Sequence, residues 1–200
     1  MRQVFIKIIK FLVQKIFSFL WRICIPFELL RLKRRYKNYH IEHFHKGKGE
    51  MFKFLLTSPN HEKIFLKKDN KLTEWWNRLN SNFQIAKKKP NHLSFNDKAD
   101  ILEFILSKSD LKKHTLLKSI DRKHKEYHQE FLEQCIDLSE EQYTVNRRRI
   151  DDILEYFYLN GIASYDHENS NFVLQNNTLF LVDLESLQFL PQFNSAQNGK

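Results

Sequence analysis

The sequence is poor in the residues that loop-rich and disulfide-bonded proteins depend on. Its 200 residues include only four glycines, four prolines and two cysteines. So little glycine and proline argues against a fibrous or disordered chain. Two cysteines build no disulfide framework and fit a reducing compartment. With 42% hydrophobic residues, the chain can form one compact domain, or a small two-lobed one, around its own core.

The N-terminus also lacks an uninterrupted hydrophobic run. Charged residues break the apolar stretch over 1–24 at five positions, namely Arg2, Lys7, Lys10, Lys15 and Arg22. A membrane span needs about 20 mostly apolar residues, and no uncharged run here approaches that length. Because the charges recur through the stretch rather than precede it, the segment is also unlike a cleaved signal peptide.

What the N-terminus does have is a basic amphipathic pattern. On a helical projection, polar residues from Gln3 to Arg22 share one arc of roughly 140°, and apolar residues such as Leu12, Ile16 and Phe19 take the other side. Such a helix is typical of segments that lie in the interface of an anionic membrane. Pro26 is predicted to end it.

A basic run over 31–37 follows, and each charge near an anionic leaflet adds about 1 kcal/mol of attraction. We therefore predict a membrane-interface segment over 1–38 and a peripheral location on an anionic membrane surface. The alternative is a helix that packs on the folded domain or on another chain.

The net charge of +9 raises the question of nucleic-acid binding. Much of the excess lies in the N-terminal segment, and the sequence has no zinc-finger or recognition-helix signature, so nucleic acid is disfavoured as a partner. The histidines near Glu42 and the pair His124 and His128 lack further ligands at a diagnostic zinc spacing. We assign no metal to them.

The most informative stretch is residues 161–185. Two runs rich in β-forming residues, 172–175 and 178–182, meet at Asn176-Asn177, which suits a two-residue hairpin with positive φ. A hairpin brings Asn171, before the first strand, beside Asp183, after the second. Asp166 lies in the loop that leads into the first strand.

Phosphoryl transfer needs groups of this kind. One carboxylate accepts the proton of an attacking hydroxyl, while an amide oxygen and a second carboxylate hold Mg²⁺ against the phosphates of ATP. In this sequence the predicted groups are Asp166, then Asn171 and Asp183. The alternative is an ordinary surface hairpin with polar ends.

The order of these residues resembles the catalytic loop and metal-binding motif of the protein-kinase-like superfamily. The likeness is greatest to small bacterial kinases that phosphorylate sugars, such as the lipopolysaccharide core kinases. Ser164 stands where that family usually has a histidine, and Leu184-Glu185 stands for its Phe-Gly. An acid at the position of Glu185 is similar to what aminoglycoside and choline kinases tolerate, so Glu185 is a further candidate for the metal.

The resemblance also implies an ATP-binding lobe. A Gly-x-Gly turn at Gly47 and Gly49 precedes a predicted strand over 51–56, and a second strand over 63–68 ends in lysines. Glycines would allow close approach to phosphate, and Lys67 would pair with the α- and β-phosphates. Its neighbour Lys68, or neither lysine, remains possible. An acidic partner for the lysine is poorly defined, with Glu74 close in sequence and Glu103 distant.

Residues 95–160 are predicted to be mainly helical. Asn96 or Asp97 is expected to cap one helix, and His124, Tyr127, His128, Phe131 and Cys135 share a helical face. Apolar residues at helical spacing over 150–158 predict a core-facing helix that Asn160-Gly161 ends.

Together these features predict an α+β, two-lobed protein-kinase-like fold over 39–200, with an N lobe at about 39–90 and a mostly helical C lobe at about 91–200, preceded by the amphipathic helix. The predicted activity is ATP- and Mg²⁺-dependent phosphorylation of a sugar hydroxyl on a lipopolysaccharide core or another lipid-linked saccharide. Alternatives are an inactive kinase-like scaffold and a non-enzymatic helical protein at the membrane periphery.

Overall fold

A computed structural model describes residues 2–44, 51–76, 93–133, 136–165 and 171–191. The chain divides into two compact units. The first contains residues 1–92 together with 124–126, and the second contains 93–123 together with 127–200. The larger sheet has five antiparallel strands in the order β1-β2-β3-β5-β4. The fold is therefore α+β.

The first unit begins with one long helix, α1, over Arg2–Arg35. Pro26 lies inside this helix, so the prediction that it ends there is wrong. Proline removes the hydrogen bond to the carbonyl four residues earlier, that of Arg22. Pro26 and Arg22 are both exposed, so water can satisfy that carbonyl. Within the described residues, no helix combines the length and the apolar character needed to cross a bilayer.

Three antiparallel strands follow α1 in the first unit. They are β1 (His40–His43), β2 (Phe52–Thr57) and β3 (Lys63–Lys68). In register, Phe54 of β2 lies opposite Leu66 of β3. Strands β2 and β3 confirm the two predicted strands nearly to the residue, whereas β1 was not predicted. A short helical segment follows over 71–76.

The core of the first unit forms where α1 packs on this sheet. Leu32 of α1 is buried with apolar residues of all three strands, namely Ile41, Phe52, Phe54, Leu56 and Leu66. Trp21 of α1 stacks on Phe52, with ring centroids 3.9 Å apart. The second half of α1 is thus part of a folded core, which is the alternative weighed above for this helix.

A buried ion-pair network joins α1 to the sheet. Glu126 is fully buried, and its carboxylate lies 2.7 Å from Lys68 Nζ and 2.7 Å from an Arg35 nitrogen. Lys68 Nζ also donates to the carbonyl of His124 at 3.2 Å. Glu28 of α1 is buried too and lies 3.8 Å from Lys68 Nζ. Arg31 Nη1 also lies 3.1 Å from Glu28, so both buried carboxylates have cationic partners within the unit.

The second unit contains four helices and seven strands among its described residues. The helices are α2 (Phe95–Ser107), α3 (Ser109–Lys112), α4 (Glu140–Val145) and α5 (Arg147–Leu159). The strands are β4 (Leu117–Asp121), β5 (Glu126–Glu130, whose first residue belongs to the first unit), β6 (Ile136–Asp137), β7 (Ile162–Ser164), β8 (Phe172–Gln175), β9 (Thr178–Leu181) and β10 (Leu187–Phe189).

Local sequence explains the helix ends in the second unit. Ser94 caps α2, and Asp97 completes the capping box, so the predicted cap at Asn96 or Asp97 is shifted. Helix α5 confirms the predicted core-facing helix. It buries Ile150, Ile153 and Phe157 and ends before Gly161, whose φ of 83° suits glycine.

One predicted helical face is wrong. Residues 124–131 do not form a helix, because Lys125 turns the chain with a φ of 54° and β5 follows. Tyr127 and Gln129 are buried while His128 between them is partly exposed, which is the alternation of a strand. The spacing of His124 and His128 fits a helix by coincidence. The second unit therefore contains more strand than a mostly helical C lobe would.

The buried network yields a stability prediction. Replacing Glu126 with Gln leaves Lys68 buried beside an uncharged partner, and losing one member of a buried pair costs about 3–5 kcal/mol. We expect chemical denaturation to show a loss of that size in the free energy of unfolding. The double variant Glu126→Leu/Lys68→Met, which removes both charges, is expected to recover much of it.

A surface pair provides the control. Arg122 donates a hydrogen bond of 2.6 Å to Glu103, whose side chain is half-exposed. This bond lowers the pKa of Glu103. Because exposed pairs are screened by water, Glu103→Gln is expected to change the unfolding free energy far less than Glu126→Gln. Equal losses in the two variants would contradict the importance assigned to the buried network.

Candidate functional site

The predicted hairpin is present in the second unit. Strands β8 and β9 pair antiparallel, with Phe172 opposite Leu181. Asn176 and Asn177 form the two-residue turn with φ of 47° and 62°. Positive φ at both positions is the signature of a type I′ turn, which matches the twist of the strands, and asparagine tolerates it better than most residues.

The hairpin brings Asn171 and Asp183 to the same end of the strand pair. The backbone N–H of Val182 donates to the carbonyl of Asn171 at 2.9 Å, so Asp183 is one residue beyond the point of pairing. Asn171 is buried, with 5% of its surface exposed, and Asp183 is half-buried. An amide and a carboxylate are therefore held near each other by backbone pairing.

Asp183 is also fixed by its own turn. Its carboxylate accepts from the N–H of Glu185 at 3.4 Å and caps a short 3₁₀ helix over Leu184–Ser186. Its backbone carbonyl accepts from the hydroxyl of Ser186 at 3.3 Å. One carboxylate oxygen is thus oriented by the chain that follows.

Glu185 has a different environment. The hydroxyl of Tyr127 lies 3.5 Å from Oε1 of Glu185, at the limit of a hydrogen bond. Tyr127 is buried in the second unit with 1% of its surface exposed. The Glu185 carboxylate thus has an orienting contact through a side chain rather than through the hairpin.

Two contacts support the end of β9 on its other side. The buried side chain of Gln129 donates to the carbonyl of Val182 at 3.0 Å, and the N–H of Leu181 donates to the carbonyl of His114 at 2.9 Å. Both backbone polar groups of Val182 are therefore bonded. Neither Gln129 nor His114 was predicted to have a role. The sequence EYHQE over 126–130 can be read as a strand in which Tyr127 and Gln129 share a face, and this pattern could have indicated a buried Gln129.

The chain that leads to Asp166 is anchored to the same region. Strand β7 pairs with β10, and Ser164 lies opposite Leu187. The hydroxyls of Ser164 and Ser186 are 3.2 Å apart, and the N–H of Tyr165 donates to the carbonyl of Ser186 at 3.2 Å. Asp166 itself lies outside the described residues, and its role stays a prediction.

The predicted nucleotide-binding residues lie in the first unit. Gly47 and Gly49 fall outside the described residues. Lys67 is in β3 opposite Lys53, and Lys68 is opposite Phe52. Neighbouring residues of a strand point to opposite faces, and Lys68 shares the face that packs on α1. Lys68 has Glu126 as its partner. The side chain of Lys67 is also buried, and its role with phosphate stays a prediction.

The acids near Lys68 are not the two that were considered from the sequence. Glu74 bonds to Lys125, and Glu103 belongs to the other unit, where Arg122 binds it. The carboxylates near Lys68 come from Glu28 and Glu126. Sequence distance hides both, because α1 and the segment 124–126 reach β3 only through tertiary packing.

The oxygen atoms of the hairpin suit a hard cation. Among the residues with described positions, no three His, Cys, Asp or Glu side chains gather as a metal site. The donors at the hairpin are instead the Asn171 amide and the Asp183 carboxylate, with Glu185 two residues on. Amide and carboxylate oxygens are ligand types that Mg²⁺ accepts.

Comparison with known proteins gives similar structures but no similar sequence. No protein-family model matches the sequence, and no curated protein sequence matches it. The erythromycin complex of Rv3197 from Mycobacterium tuberculosis has a similar structure, with 11% identity, a TM-score of 0.50, and coverage of 80% of this chain and 49% of that chain. The chain thus spans about half the length of Rv3197.

Two structures of the choline kinase LicA also match. LicA from Streptococcus pneumoniae has 12% identity, a TM-score of 0.47, and coverage of 80% of this chain and 69% of its own. LicA in complex with AMP has 14% identity, a TM-score of 0.47, and coverage of 82% and 71%. The likeness to Rv3197 is a likeness of fold alone. Identities this low show nothing of substrate.

The turn of the hairpin can be tested directly. Asn176→Val places a β-branched residue at a φ of 47°, which we expect to cost about 1–2 kcal/mol, whereas Asn176→Gly should be tolerated. Unfolding free energies of the two variants provide the measurement. If Val and Gly were equally stable at this position, the turn geometry would be wrong.

His114 predicts a pH dependence. Burial, aided by the charge of Lys113, lowers the pKa of His114 from its ordinary value. Its contribution to stability is therefore fully present above the unfolded pKa of about 6.5 and is lost as pH falls through the lower folded pKa. We expect His114→Gln to flatten the fall in unfolding free energy as the pH drops below about 6.5. An unchanged slope would show that His114 is not the titrating group.

Proposed function

We propose that the protein transfers the γ-phosphoryl group of ATP to a hydroxyl of a saccharide. The observation that carries the proposal is the hairpin, which holds the Asn171 amide and the Asp183 carboxylate together through the 2.9 Å bond between Val182 and Asn171. Phosphoryl transfer uses an amide and two carboxylates in these roles, and the resemblance to kinases assigns them in this order.

Each residue has a separate task in this proposal. Asp166 orients the acceptor hydroxyl and takes its proton as the hydroxyl oxygen bonds to the γ-phosphorus. The bond from that phosphorus to the bridging oxygen breaks, and ADP leaves. Lys67, with the backbone near Gly47 and Gly49, engages the phosphates. Asn171 and Asp183 would hold Mg²⁺, assisted by Glu185, and the ion would offset the negative charge of the phosphates.

The acceptor class is the finer part of the proposal. We infer a sugar of the lipopolysaccharide core or of another lipid-linked saccharide, at the cytoplasmic face of the inner membrane. Support comes from Leu184-Glu185 and Ser164, which depart from the protein-kinase pattern, and from the basic N-terminal helix, which favours an acceptor at a membrane.

Substitutions can separate an enzyme from an inactive scaffold. Asp166→Asn is expected to keep ATP binding but lower kcat by about 10²–10⁴-fold, because only the proton acceptor is lost. Asp183→Asn is expected to weaken Mg²⁺-dependent ATP binding itself. Calorimetric titration with ATP, with and without Mg²⁺, and phosphate transfer to a core oligosaccharide provide the two measurements.

Asp152→Asn is the matched control, since Asp152 is an exposed acid on α5 of the same unit. It should change neither measurement. ATP binding without transfer in the unmodified protein would favour the scaffold. Absence of Mg²⁺-dependent ATP binding would favour a non-enzymatic protein and reject the site.

A further inference from the structure

Helix α1 has a second apolar face that no described part of the chain covers. Six large side chains on it are 42–64% exposed, and we call them the outward stripe: Leu12, Ile16, Phe19, Ile23, Phe27 and Leu30. They recur every three or four residues, so they lie along one side of the helix. From first to last they span about 27 Å at 1.5 Å per residue.

The outward stripe is distinct from the face that packs on the sheet. Phe17, Glu28 and Leu32 are buried, with 2–5% of their surfaces exposed, and they lie on the opposite side of α1 from the stripe. The helix therefore satisfies its packing within the first unit and still presents an apolar band to the solvent. Contiguous apolar surface of this length on a single chain marks an interaction site.

The charges of α1 indicate what covers the stripe. Glu28 is the only acid in the sequence of Arg2–Arg35, and it is buried beside Lys68. The exposed surface of the helix is therefore cationic. Lys15, Arg22 and Lys33 are exposed along one flank of the stripe, and Arg34 is exposed at its C-terminal end.

We propose that the outward stripe lies in the interface of an anionic lipid bilayer, with α1 parallel to the surface. Apolar side chains then enter the acyl boundary while the flanking cations meet the headgroups. The sheet of the first unit packs on the opposite side of the helix, so it stays in water. Self-association through the stripe would bring two cationic helices together, which like-charge repulsion opposes.

The structure changes which residues make this contact. Within the predicted segment 1–38, the helix was expected to end at Pro26 and a separate basic run to follow. In the structure the stripe continues through Pro26 to Leu30, and Arg35 is occupied by buried Glu126. The membrane contact therefore includes Phe27 and Leu30, whereas Arg35 belongs to the core.

Flotation with lipid vesicles tests the stripe. The full chain is mixed with vesicles of equal parts phosphatidylglycerol and phosphatidylcholine, or of phosphatidylcholine alone. We expect the unmodified chain to bind the anionic vesicles. In Phe19→Glu/Phe27→Glu the affinity should fall at least about tenfold, because two aromatic side chains that enter the lipid interface are lost. Binding should also weaken with added salt.

Val145→Glu/Leu159→Glu is the matched control. These two side chains are 78% and 70% exposed and lie in the other unit, so the same change in charge and apolar surface is made away from α1. Binding should stay within about twofold of the unmodified chain. Thermal unfolding of both variants confirms that each is folded, as expected for substitutions at exposed positions.

A fluorescence measurement locates the stripe without weakening it. In Phe19→Trp the new indole should be quenched by brominated lipid in anionic vesicles, and in Val145→Trp it should not. Equal quenching in the two variants would overturn the proposal. So would vesicle binding that survives Phe19→Glu/Phe27→Glu, or a dimer in sedimentation equilibrium that the same variant dissociates.

The outcome is independent of the phosphoryl-transfer site. Vesicle binding needs neither ATP nor Mg²⁺, and Asp183→Asn should leave it unchanged. If the unmodified protein binds vesicles but transfers no phosphate, only the proposed function is rejected. Normal transfer to a soluble oligosaccharide without vesicle binding would reject the membrane proposal alone.

Discussion

The first unit depends on a cluster of charged side chains, three of which are buried. Glu126, Glu28 and Lys68 are removed from water, and each ion so buried costs several kcal/mol unless paired. Lys68 and the partly buried Arg35 supply contacts of 2.7 Å to Glu126. The cluster connects α1, β3 and the segment 124–126, which are far apart in sequence. These directional contacts add to the apolar packing of Leu32 in setting the position and rotation of α1 on the sheet.

Because the rotation of α1 is fixed, one of its apolar faces packs on the sheet and the other is exposed to solvent. Because Glu28 and Leu32 must face the sheet, the side chains from Leu12 to Leu30 on the other side must face outward. The amphipathic pattern over 1–24 placed Leu12, Ile16 and Phe19 on one apolar side, and these three side chains are exposed. It missed the inward face, because Trp21, Cys24 and Ile25 become buried only against strands that come later in the chain.

The elements that depend on short-range interactions were predicted correctly from the sequence. The turn at Asn176-Asn177, the strands β2 and β3, and α5 with Gly161 all follow from φ preferences and from the period of apolar residues. Pro26 and the β4–β5 region were mispredicted because tertiary contacts override local preference there. Packing on both sides of Pro26 outweighs one lost backbone bond, and burial of Tyr127 and Gln129 on a strand outweighs a helical spacing of histidines.

The positions of the candidate site residues depend on backbone pairing more than on the exact residue types of the motif. Asn171 and Asp183 are set by the β8–β9 ladder and by the bonds to Val182 from both sides. Leu184 is buried with 3% of its surface exposed and anchors the turn that follows Asp183. The hydroxyl of Tyr127 contacts Glu185 in the same turn. The position of Asp183 is therefore set by backbone pairing before it and by an anchored turn after it.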